Sequence, residues 1–181
     1  MKKQILFIQG GGDDGYTADL KLVDSLKKEL GDTYNISYPK LQTDESLPDF
    51  GWLKQISEEV GKLKNEVIIV AHSLGASLLL KYLSEYEASK QLAGIFLLST
   101  PFWSGDEDWK QGLKLRDDFA EKLPENTPLF FYQAHDDEEV PFKHFETYRQ
   151  KLPAATFREI NKGGHQLGNN LSLVARDIKN L

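Results

Sequence analysis

Apolar runs of strand length alternate with stretches of helical period from one end of the chain to the other, and this alternation limits the folds open to it. ILFIQ at 5–9 precedes Leu20, Val23, Leu26 and Leu30; YNISY at 34–38 precedes Phe50, Leu53, Ile56, Val60 and Leu63. VIIVA at 67–71 precedes Leu74, Leu78, Tyr82 and Tyr86, and GIFLLS at 94–99 leads into a longer polar and aromatic stretch. PLFFYQA at 128–134, a helix from about Pro141, TFREI at 156–160 and a last helix from about Asn169 complete the pattern. Strands separated by helices of this length cannot pair as hairpins, and right-handed crossovers between parallel strands are the default. The expected fold is an α/β domain on a single doubly wound parallel sheet of about six strands flanked by helices. The runs at 67–71 and 95–99 are apolar at successive positions, which suits central strands covered on both faces.

With 181 residues, the chain is long enough for one full hydrophobic core and short for two, so a single domain over residues 1–181 is expected. The apolar run of about 18 residues needed to cross a bilayer never occurs, and no membrane association is expected. MKKQILFIQG imitates the head of a signal peptide, but its apolar run ends at Ile8 and reads as a strand. Cysteine is absent, which excludes disulfides, thiolate metal sites and cysteine nucleophiles and fits a reducing cytoplasm, the compartment expected. A net charge of −6, with no cluster of Lys and Arg interleaved with aromatics, would repel a phosphate backbone. Nucleic acid is therefore not an expected partner.

Ala71, His72, Ser73, Leu74, Gly75 and Ala76 join a buried strand to a helical run. A serine at such a junction, with small residues two before and two after it, fits the nucleophile elbow GxSxG with alanine in the first glycine place. The tight strand-to-helix turn strains the serine backbone and projects its hydroxyl from the carboxyl edge of the sheet, where flanking side chains would collide. The competing reading is that Ser73 only caps the helix. Its partners decide between the two. An elbow serine is followed along the chain by an acid and then a histidine. HDDEEVPF follows the strand PLFFYQA, and NKGGHQLG follows TFREI, so His165 and an acid both sit in loops at the carboxyl ends of later strands. Spacing alone leaves Asp136 and Asp137 equally open as the acid.

AHSLGA, the DxxVP pattern in DEEVP, and GGH after the last strand resemble the α/β-hydrolase superfamily. The short, nearly capless chain is similar to the small serine hydrolases related to retinoblastoma-binding protein, over essentially its whole length. The resemblance implies a minimal α/β-hydrolase fold with little or no cap, Ser73 as nucleophile, Asp137 as acid and His165 as base. In the family the acid stands three places before the valine of DxxVP, which is what selects Asp137 over Asp136. The chain departs from the pattern in lacking the two leading strands of larger members and in Ala71.

The glycines at 10, 12 and 15 stand in the GxGxxG register of dinucleotide sites. A pyrophosphate there would face Asp13 and Asp14 in the same loop with no lysine or arginine to offset them. Asp32, spaced about right for a ribose contact, precedes the second strand instead of ending it. An acyl-transfer site, by contrast, needs two backbone donors aimed at the oxyanion, one following the serine and one from a loop on an adjacent strand. Leu74 would supply the first; in the resembling family the loop after the first strand carries a His-Gly-x pattern, whose places Gln9, Gly10 and Gly11 take here, so the resemblance implies Gly11 as the second, with Gly12 the alternative.

His135, Asp136, Asp137, Glu138, Glu139 and His144 could be taken for a hard-cation site, but crowded loop carboxylates are usually solvated. His72 would point away from Ser73 on strand alternation and pack or hydrogen-bond instead. Phe102, Trp103 and Trp109, in the irregular stretch that could form a lid, read either as packing or as walls of an acyl pocket; Phe102 and Trp103 are taken as substrate-binding. The expected function is hydrolysis of small carboxylic esters, with thioesters and amides as further acyl substrates, without cofactor or metal. The substrate is a small molecule. The other class open to this sequence is an interaction protein on the same fold with vestigial esterase activity.

Overall fold

The computed structural model describes residues 2–64, 66–86, 91–105 and 108–181, without the side chains of 108–110. Six strands, β1 (Lys3–Ile8), β2 (Tyr34–Ser37), β3 (Val67–His72), β4 (Leu92–Leu98), β5 (Leu129–Ala134) and β6 (Thr156–Ile160), pair in parallel in the order β2-β1-β3-β4-β5-β6. The expected doubly wound sheet is the fold observed. From β1 the chain leaves to one side to form β2 and returns on the other to form β3, so the order reverses between β1 and β3. Ligands of open α/β sheets bind at the carboxyl ends of strands flanking such a switch point. Ile8 and Ala71 are partners in register there, so residues 9–12 and 72–73 emerge side by side.

Strand alternation divides the core into two layers. Ile5, Phe7, Ile68, Val70, Phe96 and Leu98 face α1 (Gly15–Leu30) and α6 (Ser172–Lys179). Leu6, Ile8, Ile69, Ala71, Ile95 and Leu97 face α2 (Trp52–Lys62), α3 (Ser73–Glu85), α4 (Phe119–Lys122) and α5 (Phe142–Lys151). Helix α1 turns the stripe Leu22, Val23, Leu26 and Leu30 inward, and α2 does so with Trp52, Leu53, Ile56 and Val60. Helix α3 is buried nearly all round because a third layer covers it: Leu113, Leu115 and Phe119 join the same core. The stretch after β4 that looked irregular in sequence therefore packs over α3, through a 3-10 turn (Asp108–Leu113) and α4.

Some boundaries move by a few residues for local reasons. Gln9 leaves the sheet and buries its side chain, accepting a hydrogen bond from the Leu41 amide at 2.9 Å. Pro141 sits just before α5 as its cap residue, a place where the missing N–H costs nothing. The last helix starts at Ser172 instead of near Asn169, because Leu167, Gly168 and Asn169 form a turn with positive φ that α-helix geometry forbids. None of the described helices is long and apolar enough to cross a membrane.

Candidate active site

Ser73 follows β3 directly and begins α3 with φ of +51°, a left-handed conformation that L-residues other than Asn and Asp seldom adopt. The turn is this sharp because α3 starts hard against β1. A Cβ at Gly75 would meet the Gln9 carbonyl oxygen and lie 2.8 Å from Ile8 Cγ2, so only glycine fits two places after the serine. Ser73 Oγ is spent on a side chain, not on capping the helix: His165 Nε2 lies 2.9 Å away.

Nδ1 of His165 lies 3.0 and 3.1 Å from the two carboxylate oxygens of Asp137. Asp137 also accepts from the Glu139 and Val140 amides, both at 2.9 Å, and from Gln133 Nε2 at 2.8 Å. Burial by itself would raise the Asp137 carboxyl, but the hydrogen bonds from His165 and the Val140 and Glu139 amides outweigh it and hold it below the usual carboxylate range. An ionised carboxylate can only accept, so Nδ1 of His165 carries the proton and the Nε2 lone pair faces Ser73. Burial likewise disfavours the charged form of His165, yet the hydrogen bond and charge of Asp137, assisted by Glu139, raise its pKa above the ordinary 6.5.

All four acids of the loop after β5 address residues 163–165. Asp136 Oδ1 accepts from the Gly163 and Gly164 amides at 2.8 and 2.9 Å, and Glu138 Oε2 from the His165 amide at 3.1 Å. Glu139 Oε2 stands 3.6 Å from His165 Nε2. The loop that composition alone would call solvated is thus a cradle for the histidine. Among the described residues, no group of three or more His, Asp or Glu could hold a metal ion.

The Gly10 amide is occupied, donating to Asp19 Oδ2 at 2.7 Å. Gly11 packs directly on the residue after the serine: a Cβ there would lie 2.7 Å from Leu74 Cδ2 and 3.0 Å from its Cβ. The first amides of a helix have no intrahelical acceptor, and that of Leu74, at the start of α3, is one of them. In front of these groups opens a cavity of about 770 Å³, walled by Phe50, Leu74, Pro101, Trp103 and Leu113, with Lys40, Glu45 and Glu139 around it.

Of the two aromatics taken as substrate-binding, Trp103 lines this cavity and donates its indole N–H to Ser77 Oγ at 3.0 Å. Phe102 does not line it. Its ring meets Tyr148 edge-on at 5.2 Å while its amide bonds to His144 Nδ1 at 3.0 Å, which places it in the packing behind the wall. The side chain of Trp109 lies outside the described residues.

Three site residues escape a motif search. Gln133 ties Asp137 to the Val140 carbonyl; Ser99, at the end of β4, donates to the His165 carbonyl at 2.9 Å; and Asp19 binds His72. Asp19 did leave a trace in sequence. It falls on the inward stripe of α1, three and four places before Leu22 and Val23, where an apolar residue belongs.

The Bacillus subtilis protein YdeN is 28% identical over 153 residues, covering 81% of this chain and 73% of its own. Among solved structures, the B. subtilis ydeN gene product superposes with a TM-score of 0.73 at 23% identity, over 99% of this chain and 98% of that one. The esterase domain of a Rhodothermus marinus protein gives 0.69 at 14% identity, over 97% and 84% of the two chains. Arabidopsis thaliana SOBER1 gives 0.69 at 20% identity, over 99% of each. These structural likenesses establish the α/β-hydrolase fold. The serine hydrolase family model matches residues 26–169, a span that holds Ser73, Asp137 and His165, and the chain belongs to that family of hydrolases.

Proposed function

We propose that the protein cleaves small carboxylic esters through an acyl-enzyme, with Ser73 as nucleophile, His165 as base and Asp137 as the group that orients it. The observation that carries this reading is the unbroken chain Asp137, His165, Ser73, at 3.0 and 2.9 Å, ending on a serine held at φ of +51° at the sheet's switch point. In acylation, Ser73 Oγ bonds to the carbonyl carbon while its proton passes to His165 Nε2, and the carbonyl electron pair moves onto oxygen. That oxyanion would be met by the Leu74 and Gly11 amides. Collapse returns the electron pair, breaks the bond to the leaving alkoxide, and His165 Nε2–H protonates it. Water repeats the sequence on the acyl-enzyme and restores Ser73. Every proton transfer is served by the chain's own groups, so the reading requires no cofactor.

The apolar walls supplied by Phe50, Leu74, Trp103 and Leu113 suit an acyl chain of modest length. Thioesters and activated amides would meet the same donors and nucleophile. The likeness to the small hydrolases related to retinoblastoma-binding protein belongs to this reading as well. A panel of p-nitrophenyl esters of increasing acyl length tests it. Saturable hydrolysis that falls by about a thousandfold or more in Ser73→Ala supports it. Equal turnover by the folded variant excludes Ser73 as the nucleophile.

A further inference from the structure

Beneath the triad lies a second histidine and aspartate that the proposed chemistry does not use. His72 and Asp19 have side chains 1% exposed, and Nδ1 of His72 lies 2.9 Å from Asp19 Oδ1 and 3.0 Å from Oδ2. The partners of this pair are the three loops of the site. Asp19 Oδ2 accepts from the Gly10 amide at 2.7 Å, next to the proposed oxyanion donor Gly11, and Oδ1 from Gln166 Nε2 at 3.2 Å, next to His165. Nε2 of His72 lies 3.0 Å from the His165 carbonyl oxygen, whose other partner is the Ser99 hydroxyl. His72 itself precedes Ser73, and its ring centroid is 4.7 Å from that of His165.

The proton count follows from the partners. A carbonyl oxygen only accepts, so His72 Nε2 must donate to it. A ring protonated on Nε2 alone would turn its Nδ1 lone pair toward a carboxylate, lone pair against lone pair, at hydrogen-bond distance in a buried place. One further proton between Nδ1 and Asp19 removes that conflict and leaves the pair with no net charge, which is what burial favours.

We infer that Asp19 and His72 are positioning residues for the Ser73 reaction: sharing one proton, they lock the glycine loop, the elbow and the His165 loop into a single register. The inference rests on the Ser73 reading. Its physical content is that base, nucleophile and oxyanion donor are aligned by one electroneutral brace in place of three independent loops. Displacing a reacting group by about 1 Å costs on the order of a hundredfold in rate, so loosening the brace should appear in kcat before it appears in substrate affinity.

The test compares Asp19→Leu, His72→Phe and Asp19→Asn, using p-nitrophenyl acetate kinetics and proton NMR of the nitrogen-bound imidazole protons. Asp19→Leu and His72→Phe, which keep bulk and remove the polar pair, should lower kcat by about 10- to 100-fold with KM little changed. Asp19→Asn should rescue most of that loss, because its amide oxygen still accepts from Gly10, its NH₂ donates to Nδ1 of a neutral His72, and a turn of the Gln166 side-chain amide presents Oε1 in place of Nε2 to that NH₂. Wild type should show a far-downfield proton assigned to His72 Nδ1, persisting in Ser73→Ala and Asp137→Asn and lost in Asp19→Asn. Wild-type kcat in folded Asp19→Leu and His72→Phe, an Asp19→Asn no better than Asp19→Leu, or a wild-type spectrum without the His72 proton would each overturn the inference. If the two bulk-preserving variants do not fold, the asparagine variant and the wild-type spectrum still decide it. Failure of the Ser73 reading looks different: Ser73→Ala would hydrolyse the ester while the His72 resonance remained.

Discussion

Asp137 Oδ1 lies 3.0 Å from Nδ1 of His165, whereas Asp136, one residue earlier, points its own Oδ1 at the amides of Gly163 and Gly164. The two adjacent acids are therefore separable by mutation. Asp137→Asn should cost up to about ten-thousandfold in turnover, since an amide favours the wrong imidazole tautomer. Asp136→Asn keeps an oxygen for both glycine amides and should cost about tenfold at most. Turnover of both purified variants on one activated ester at about pH 8, above the ordinary histidine range, checks this. A larger defect in Asp136→Asn would move the acid by one residue.

The pH profile follows from the raised pKa of His165. The base must be neutral to take the serine proton, so activity is lost as pH falls through that pKa, and the acidic limb should lie above the ordinary 6.5. Glu139, 3.6 Å from Nε2, stabilises the protonated ring, so Glu139→Gln should move the limb to lower pH. Because Glu139 is mostly exposed, added salt should shrink the difference between the two profiles. Rates measured from pH 5 to 9 at low and high salt report it. A limb that moves the other way would contradict the assignment.

Two glycines should separate stability from activity. Gly75→Ala forces a methyl against the Gln9 carbonyl and Ile8, and should destabilise the fold by about 1–3 kcal/mol, read from urea unfolding. Gly11→Ala instead pushes on Leu74 at the site's edge, and should lower kcat by about 100- to 1000-fold by displacing the proposed oxyanion donors. Unaltered kcat in Gly11→Ala would transfer the donor role to Gly12.

Trp103 walls the cavity, so Trp103→Ala should lengthen the preferred acyl chain, with each added methylene worth about 1 kcal/mol in kcat/KM where it fills the new space. Phe102→Ala, removing a ring packed on Tyr148, should lower stability and leave the ranking of acyl lengths alone. Rankings from the ester panel distinguish the two.

The fold was legible because strand and helix periods differ and the chain keeps switching between them. The elbow was legible because the approach of α3 to β1 leaves its mark at a fixed place, two residues after Ser73, where a Cβ at Gly75 would meet Gln9 and Ile8 and only glycine fits. Asp137 was reachable only through the DxxVP resemblance, since Asp136 satisfies the same spacing. The Asp19 and His72 pair joins groups 53 residues apart, and its one sequence trace was an acid on an apolar helix stripe. Phe102 and Trp103 could not be told apart because their segment has no regular period, so nothing in the sequence sets which side each ring faces.

Whether Ser73 forms the covalent intermediate is read by mass spectrometry of the intact protein after treatment with a fluorophosphonate. A single adduct should map to Ser73, be absent in Ser73→Ala and form far more slowly in His165→Ala. An unmodified wild type, or an adduct that persists in Ser73→Ala, would contradict Ser73 as the nucleophile.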